Sequence, residues 1–246
     1  MLGYQVKHDL VQVAGLADLH IRSLLDLQQF FDPDGEAERL GISSAFWPLF
    51  GILWPSGQQL AAHMSDRPLK AGERILEIGC GLALASLVSH RRGADVTASD
   101  CHPLAGTFLL ENLRLNGLPP MPYRHGDWSQ DGTARLLAPA GDERQQVTGR
   151  FDVIMGSDVL YERDDGGTLP SFIERHAAPA AEVLIVDPNR GNRSPFNRRM
   201  ADLGFILHEH VLSAALPDGS AYRGKLLQYL RADPLQKIPP PPHGPH

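Results

Sequence analysis

Residues 74–86 read RILEIGCGLALAS, and the fold is decided there. Arg74 to Ile78 is a short apolar run closed by Gly79-Cys80-Gly81. From Leu82 the apolar residues recur at helical spacing until Gly93 stops them. Strand, Gly-x-Gly and helix make the corner at which α/β proteins aim free N–H groups at a ligand. Gly79 lets the chain turn sharply, and Gly81 lets the backbone approach a ligand. A pyrophosphate fingerprint needs glycine or alanine at position 84, where this chain has Leu84, so that pattern fails. Glu77 stands two residues ahead of the glycines, which suits a ligand with positive charge.

Working outward, ADVTASD (94–100) reads as a second strand ending in an acid. PLAGTFLLENLRLNG (103–117) is a helix with Pro103 near its first turn and Gly117 past its end. MPYRHGD (121–127) is a weaker third strand, FDVIMGSDVLY (151–161) a long buried one, and EVLIVDP (182–188) another. SPFNRRMADLG (194–204) reads as a helix opened by Ser194 and Pro195. FILHEHVL (205–212) and KLLQYLRA (225–232) close the pattern as an antiparallel hairpin. Alternating strands and helices predict an α/β fold, doubly wound, with a mostly parallel sheet, helices on both faces and a terminal antiparallel strand.

The flanks are less regular. Trp54-Pro55-Ser56-Gly57 makes a corner before a helix-like run up to Met64. LADLHIRSLLDLQQF (16–30) fits a helix, while the alternation in YQVKHDLVQV (4–13) fits strands. Ser129 to Gly149 reads as a surface loop with a short helix at TARLLA (133–138). We expect an N-terminal extension or lid over 1–50, the main domain over 51–232 and a disordered Pro-rich tail over 233–246.

The chain has 246 residues and a net charge of −6, which argues against nucleic-acid binding. Arg91-Arg92 and Asn197-Arg198-Arg199 read as solvated helix faces. Two cysteines, Cys80 and Cys101, fit a reducing, cytoplasmic setting and packing roles. No secretory pattern opens the chain, and no apolar run reaches the roughly 20 residues of a membrane span, so no membrane partner is expected. His208 and His210 share one face of a strand, but no third ligand is apparent and no metal is expected.

Four chemistry-bearing stretches fall at the ends of successive strands, which a parallel sheet brings to one edge. They are the glycine turn, Asp100, Asp127-Trp128 and the Ser157-Asp158-Val159-Leu160-Tyr161 run. An acid ending the second strand commonly accepts ribose hydroxyls, although Asp100 also fits a helix cap. Asp127 can accept an adenine amino group and Trp128 can cover the ring. Asp158 and Tyr161 can hold an amine between a carboxylate and a phenol.

With these residues and the Trp54-Pro55-Ser56-Gly57-Gln58-Gln59-Leu60 entry, the chain resembles the class I, seven-stranded S-adenosylmethionine-dependent methyltransferases. It looks most like their lysine methyltransferase family, related to the electron-transfer-flavoprotein β-subunit lysine methyltransferase. The resemblance spans roughly residues 45–230. It implies a Rossmann-like seven-stranded sheet and S-adenosyl-L-methionine as cofactor, bound by Trp54, Glu77, Gly79, Gly81, Asp100, Asp127, Trp128 and Ser157. It implies Asp158 and Tyr161 as catalytic residues in an in-line methyl transfer to a protein lysine. Ala83 stands where the family has its third small turn residue, and VDPNRGNRSPF (186–196) begins like the family's Asp-Pro stretch and then diverges. A small-molecule, nicotinamide-like amine is the alternative acceptor. An NAD-dependent oxidoreductase and a non-catalytic module are weaker readings, the first because of Leu84.

Overall fold

A computed structural model describes residues 3–13, 15–128, 145–161, 164, 166–214 and 220–233. Ile75, Leu76 and Ile78 of strand β3 (Arg74–Ile78) are fully buried. A strand covered on both faces has no polar alternation to show, which is why apolar residues fall on both faces of this one, interrupted only by the buried Glu77. It pairs in parallel with β4 (Asp95–Asp100) on one side and β6 (Phe151–Ser157) on the other. Beyond β4 lies β5 (Tyr123–His125), and beyond β6 lies β7 (Ala177–Asp187). The antiparallel hairpin of β8 (Ile206–Leu212) and β9 (Gly224–Arg231) finishes the sheet, β9 against β7. The seven-stranded order is β5-β4-β3-β6-β7-β9-β8. The chain leaves β3 toward one edge and returns through β6 toward the other, so the carboxyl ends of β3 and β6 border the crevice where ligands enter such sheets.

The period-two alternation divides the core. Ile75, Val153, Met155 and Leu184 face α2 (Pro55–Asp66), α3 (Leu84–Arg91) and α4 (Ala105–Leu115). Leu76, Ile154, Val183 and Ile185 face α5 (Thr168–His176) and α6 (Arg193–Asp202). In the first 50 residues strands form over 6–11 and 19–24, and the helix expected over 16–30 does not. Strands β1 (Val6–Val11) and β2 (Leu19–Leu24) form an antiparallel hairpin. Leu19, Ile21 and Leu24 enter the first core, and a short helix, α1 (Glu36–Arg39), follows. Two asparagines of α4 bind the backbone of β2. Asn112 bonds Arg22 N–H at 2.7 Å and Asn116 bonds His20 N–H at 2.9 Å, and each amide also donates to the carbonyl of the same residue. Helix propensity in 16–30 loses to these tertiary bonds.

Other expectations need adjustment. The strand expected over 151–161 ends at Ser157, because Asp158 takes a left-handed φ of 56°. Strand β7 starts at Ala177, five residues ahead of the expected 182. Helix α6 opens at Arg193 with Asn192 before it, not at Ser194. Helix α5 escaped the sequence reading, since Gly166-Gly167 and Pro170 look like loop; Pro170 occupies its first turn, where a missing N–H costs nothing. The Arg pair at 91–92 is not a free face: Arg91 bonds Asn116 at 3.1 Å and Arg92 bonds the Arg67 carbonyl at 2.8 Å. The short helix expected at 133–138 and the tail from 234 lie outside the described residues.

A buried ion network fastens α2 to the sheet. Arg67, just past α2, bonds both carboxylate oxygens of Glu73 at 2.8 and 3.1 Å and Glu182 at 2.7 and 3.0 Å. Gln228 donates to the other Glu182 oxygen at 2.6 Å. Removing one partner of a buried ion network leaves uncompensated charge. Arg67→Met is expected to lower stability by about 3–5 kcal/mol in urea unfolding at neutral pH. Glu182→Gln in that background should recover part of the loss; an unchanged midpoint for Arg67→Met would contradict the assignment.

Candidate functional site

The turn after β3 has three left-handed residues in five, Gly79, Gly81 and Ala83, at φ 55°, 50° and 58°. A Cβ on Gly81 would lie 2.8 Å from the Phe50 carbonyl oxygen. The glycine is therefore demanded by the chain's own backbone, a nearer constraint than the ligand approach expected from sequence. A Cβ on Gly79 would lie 3.1 Å from Val159 and 3.4 Å from the Trp128 ring. Ala83 holds the left-handed cap of α3 without glycine's freedom, a strain of about 1–2 kcal/mol.

Two buried carboxyl groups fix this turn. Glu77 accepts the Ser86 N–H at 2.8 Å, in the first turn of α3. Burial raises its pKa to about 7, and the charge of Asp100 adds to the rise. Asp100 accepts the Gly81 N–H on one oxygen and the His102 N–H on the other, both at 2.8 Å. Burial raises its pKa as well. The carboxylate thus braces the turn from β4. It does not cap α4, which begins at Ala105 behind Leu104 with no side-chain cap. Each of its oxygens retains a lone pair for a ligand hydroxyl.

Trp54 ends the corner before α2, and its indole N–H donates to the Leu49 carbonyl at 2.8 Å, which fixes the ring. Pro55 is the first residue of α2, where its fixed φ is already helical. Ser56 shares a buried hydrogen bond of 2.9 Å with Tyr222, tying this corner to the entry of β9. A Cβ on Gly57 would meet the Ser157 hydroxyl at 3.5 Å. Asp158 donates its N–H to the Val186 carbonyl at 2.8 Å. Its carboxylate takes two bonds from Arg190, at 2.6 and 2.7 Å. Tyr161 is exposed, its ring 6.2 Å from that of Phe46.

All ten residues singled out in the sequence line one cavity of about 590 Å³ at the carboxyl ends of β3, β4, β5 and β6. The volume is that of a site for one cofactor-sized molecule. Buried carboxyls in its wall, with Trp54 and Trp128 beside them, fit a ligand that carries a cation, hydroxyls and an aromatic base. S-adenosylmethionine is such a molecule. Leu40, Ile42, Phe46, Leu49 and Phe50 close one side of the cavity from the N-terminal segment. Sequence reasoning missed Arg190, His102 and Tyr222. Only the Asp-Pro-Asn-Arg run after β7 gave a signal, and it pointed to the acceptor edge without naming a residue. His102 stacks on Phe50 with centroids 3.8 Å apart, and burial lowers its pKa to about 3, so it stays neutral. Cys80 is buried and Cys101 exposed, both as free thiols on the cavity wall. His208 and His210 are exposed on β8. Among the described residues no three metal-ligating side chains converge, and no helix is long and apolar enough to cross a membrane.

No family model matches the chain. It is 32% identical over 146 residues to the electron transfer flavoprotein beta subunit lysine methyltransferase of Rattus norvegicus, covering 58% of this chain and 51% of that protein. It is 26% identical over 169 residues to the calmodulin-lysine N-methyltransferase of Arabidopsis thaliana, covering 64% of this chain and 52% of that protein. The chain spans about half the length of these curated relatives. In fold it is similar to the magnesium protoporphyrin IX methyltransferase of Synechocystis PCC 6803 solved with bound SAM. There the TM-score is 0.52 and the identity 16%, with 72% of this chain and 78% of that one covered. By sequence the chain is similar to protein lysine methyltransferases, and its seven-stranded sheet has the fold seen in a methyltransferase solved with bound SAM.

Proposed function

We propose that this protein is an S-adenosylmethionine-dependent N-methyltransferase that methylates a lysine side chain of a protein. The observation that carries the reading is the convergence of all ten sequence-marked residues on one cavity at the switch point of the sheet. S-adenosylmethionine, when bound, supplies a methyl group made reactive by its sulfonium. Glu77 and Asp100 would hold its cation and ribose hydroxyls, and Asp127 and Trp128 its base, with Gly79, Gly81, Ser157 and Trp54 shaping the wall. The reaction then depends on alignment and on a neutral nucleophile. A free lysine titrates near about 10.4, so the acceptor nitrogen must shed a proton before it attacks. Asp158 would orient that nitrogen and stabilise its developing charge, and Tyr161 would complete the pocket.

The acceptor end is open: Tyr161 is 43% exposed. This supports an acceptor side chain reaching in from a macromolecule over a nicotinamide-like amine enclosed whole. In this reading residues 1–50 form a lid, since Leu40 to Phe50 contribute to the cavity wall, and 51–232 form the methyltransferase domain. A cytoplasmic location rests on the two free cysteines.

The test uses tritiated S-adenosylmethionine with an extract of the source organism, comparing wild type with Asp158→Asn. Wild type is expected to label a protein band whose hydrolysate contains methylated lysine. The variant should lose at least about a hundredfold of that transfer, with cofactor affinity changed by less than about threefold. Label confined to small molecules would support the other acceptor class.

The titration of Glu77 gives a second prediction. Its folded pKa is raised from 4.5 to about 7, so the folded protein holds this proton more tightly than the unfolded chain. That stability is present below pH 4.5 and is lost as pH rises through about 7, a change of about 3 kcal/mol. Urea unfolding of the free protein across this range should show the slope, and Glu77→Gln should flatten it. A cation bound beside Glu77 favours the carboxylate, so affinity for S-adenosylmethionine should rise from pH 5 to pH 7 in wild type and not in Glu77→Gln. Identical pH profiles for the two proteins would contradict the role.

A further inference from the structure

Arg190 sits on the loop between β7 and α6, and it grips Asp158 by Nε to Oδ1 at 2.6 Å and Nη2 to Oδ2 at 2.7 Å. This parallel fork is the geometry in which a carboxylate holds a guanidinium most firmly. The Asp158 side chain is 12% exposed and that of Arg190 is 42% exposed. Asp158 is the fixed wall of the site, its backbone N–H bonded to the Val186 carbonyl. The guanidinium is an occupant on the solvent side.

The loop that carries Arg190 is held without it. Asn189 donates its N–H to Asp187 at 2.9 Å and its side-chain amide to the Arg223 carbonyl at 3.3 Å. Asn192 donates to the carbonyls of Leu160 and Tyr161 at 3.1 and 3.3 Å. These bonds anchor the loop on both sides of Arg190, so its long side chain can swing away while the backbone stays in place.

On the methyltransferase reading given above, an acceptor amine arrives as a cation at neutral pH and needs this same carboxylate. We infer that Arg190 is a built-in occupant of the acceptor's cation seat, and that an acceptor reaches Asp158 by displacing its guanidinium. Selection of the acceptor is then a competition. A free alkylamine exchanges a two-point contact for a weaker one and loses. A side chain delivered on a macromolecule, with contacts elsewhere on the surface, has the effective concentration to win. The acceptor class that follows is a cationic side chain of a folded protein or long peptide, with small free amines rejected.

The experiment titrates n-butylammonium into wild type, Arg190→Gln, Arg190→Lys and the double variant Arg190→Gln with Asp158→Asn. Binding is read by NMR, with and without saturating S-adenosylhomocysteine. Arg190→Gln is expected to bind the cation roughly tenfold more tightly than wild type, the size of one hydrogen bond to a charged group. Arg190→Lys should fall between them, and the double variant should lose the gain. Equal or weaker binding by both single variants would overturn the inference and make Arg190 a positioning residue for Asp158. The arm without S-adenosylhomocysteine decides this even if that ligand binds none of the proteins, a result that would count against the cofactor reading alone.

Discussion

The site depends on one hydrogen bond between neighbouring strand ends, from the Gly81 N–H to the Asp100 carboxylate at 2.8 Å. It holds the left-handed turn after β3 against the tip of β4. Two further bonds join the same strand ends: Cys80 N–H donates to the Ser99 carbonyl at 2.9 Å, and in return the Ser99 hydroxyl donates to the Glu77 carbonyl at 2.8 Å. With the turn so fixed, Phe50 can place its carbonyl on Gly81 and α3 can start where Glu77 meets its first turn. The result brings two carboxyls into a buried wall, each with a raised pKa. Natural folds tolerate such desolvated acids where a ligand completes the balance of charge.

The other end of the cavity balances its charge internally. There Asp158 faces Arg190; behind the cavity wall, the buried Asp187 faces Arg193 at 3.4 Å. The cavity therefore has one end walled by buried carboxyls and one whose carboxylate already holds a cation. On the proposed reading, cofactor and acceptor would meet different ends: the first buried carboxyls that no arginine bonds among the described residues, the second a carboxylate already held by Arg190.

Much of this was legible in the sequence because the carriers are local. A Gly-x-Gly after an apolar run, an acid at a strand tip and an Asp-x-x-Tyr pair are each contiguous, and a parallel sheet alone brings them to one edge. What was not legible is carried by long-range contacts. The hairpin of β1 and β2 wins over a helical pattern because Asn112 and Asn116, some 90 residues away, bind its backbone. Arg190 could not be paired with Asp158 from the sequence, since 32 positions and a change of strand lie between them. Helix α5 hid behind glycines and a proline that are breakers inside a helix and harmless at its start.

The central claim is that the strand-end cavity is an adenosyl-sulfonium site braced by Asp100. Calorimetric titration of the purified chain with S-adenosylmethionine and with NADH tests it most directly, using wild type and Asp100→Ala. The account predicts single-site binding of S-adenosylmethionine by wild type, a loss of at least about tenfold in Asp100→Ala, and no binding of NADH. Binding of NADH but not of S-adenosylmethionine, or equal affinity in the two proteins, would contradict it.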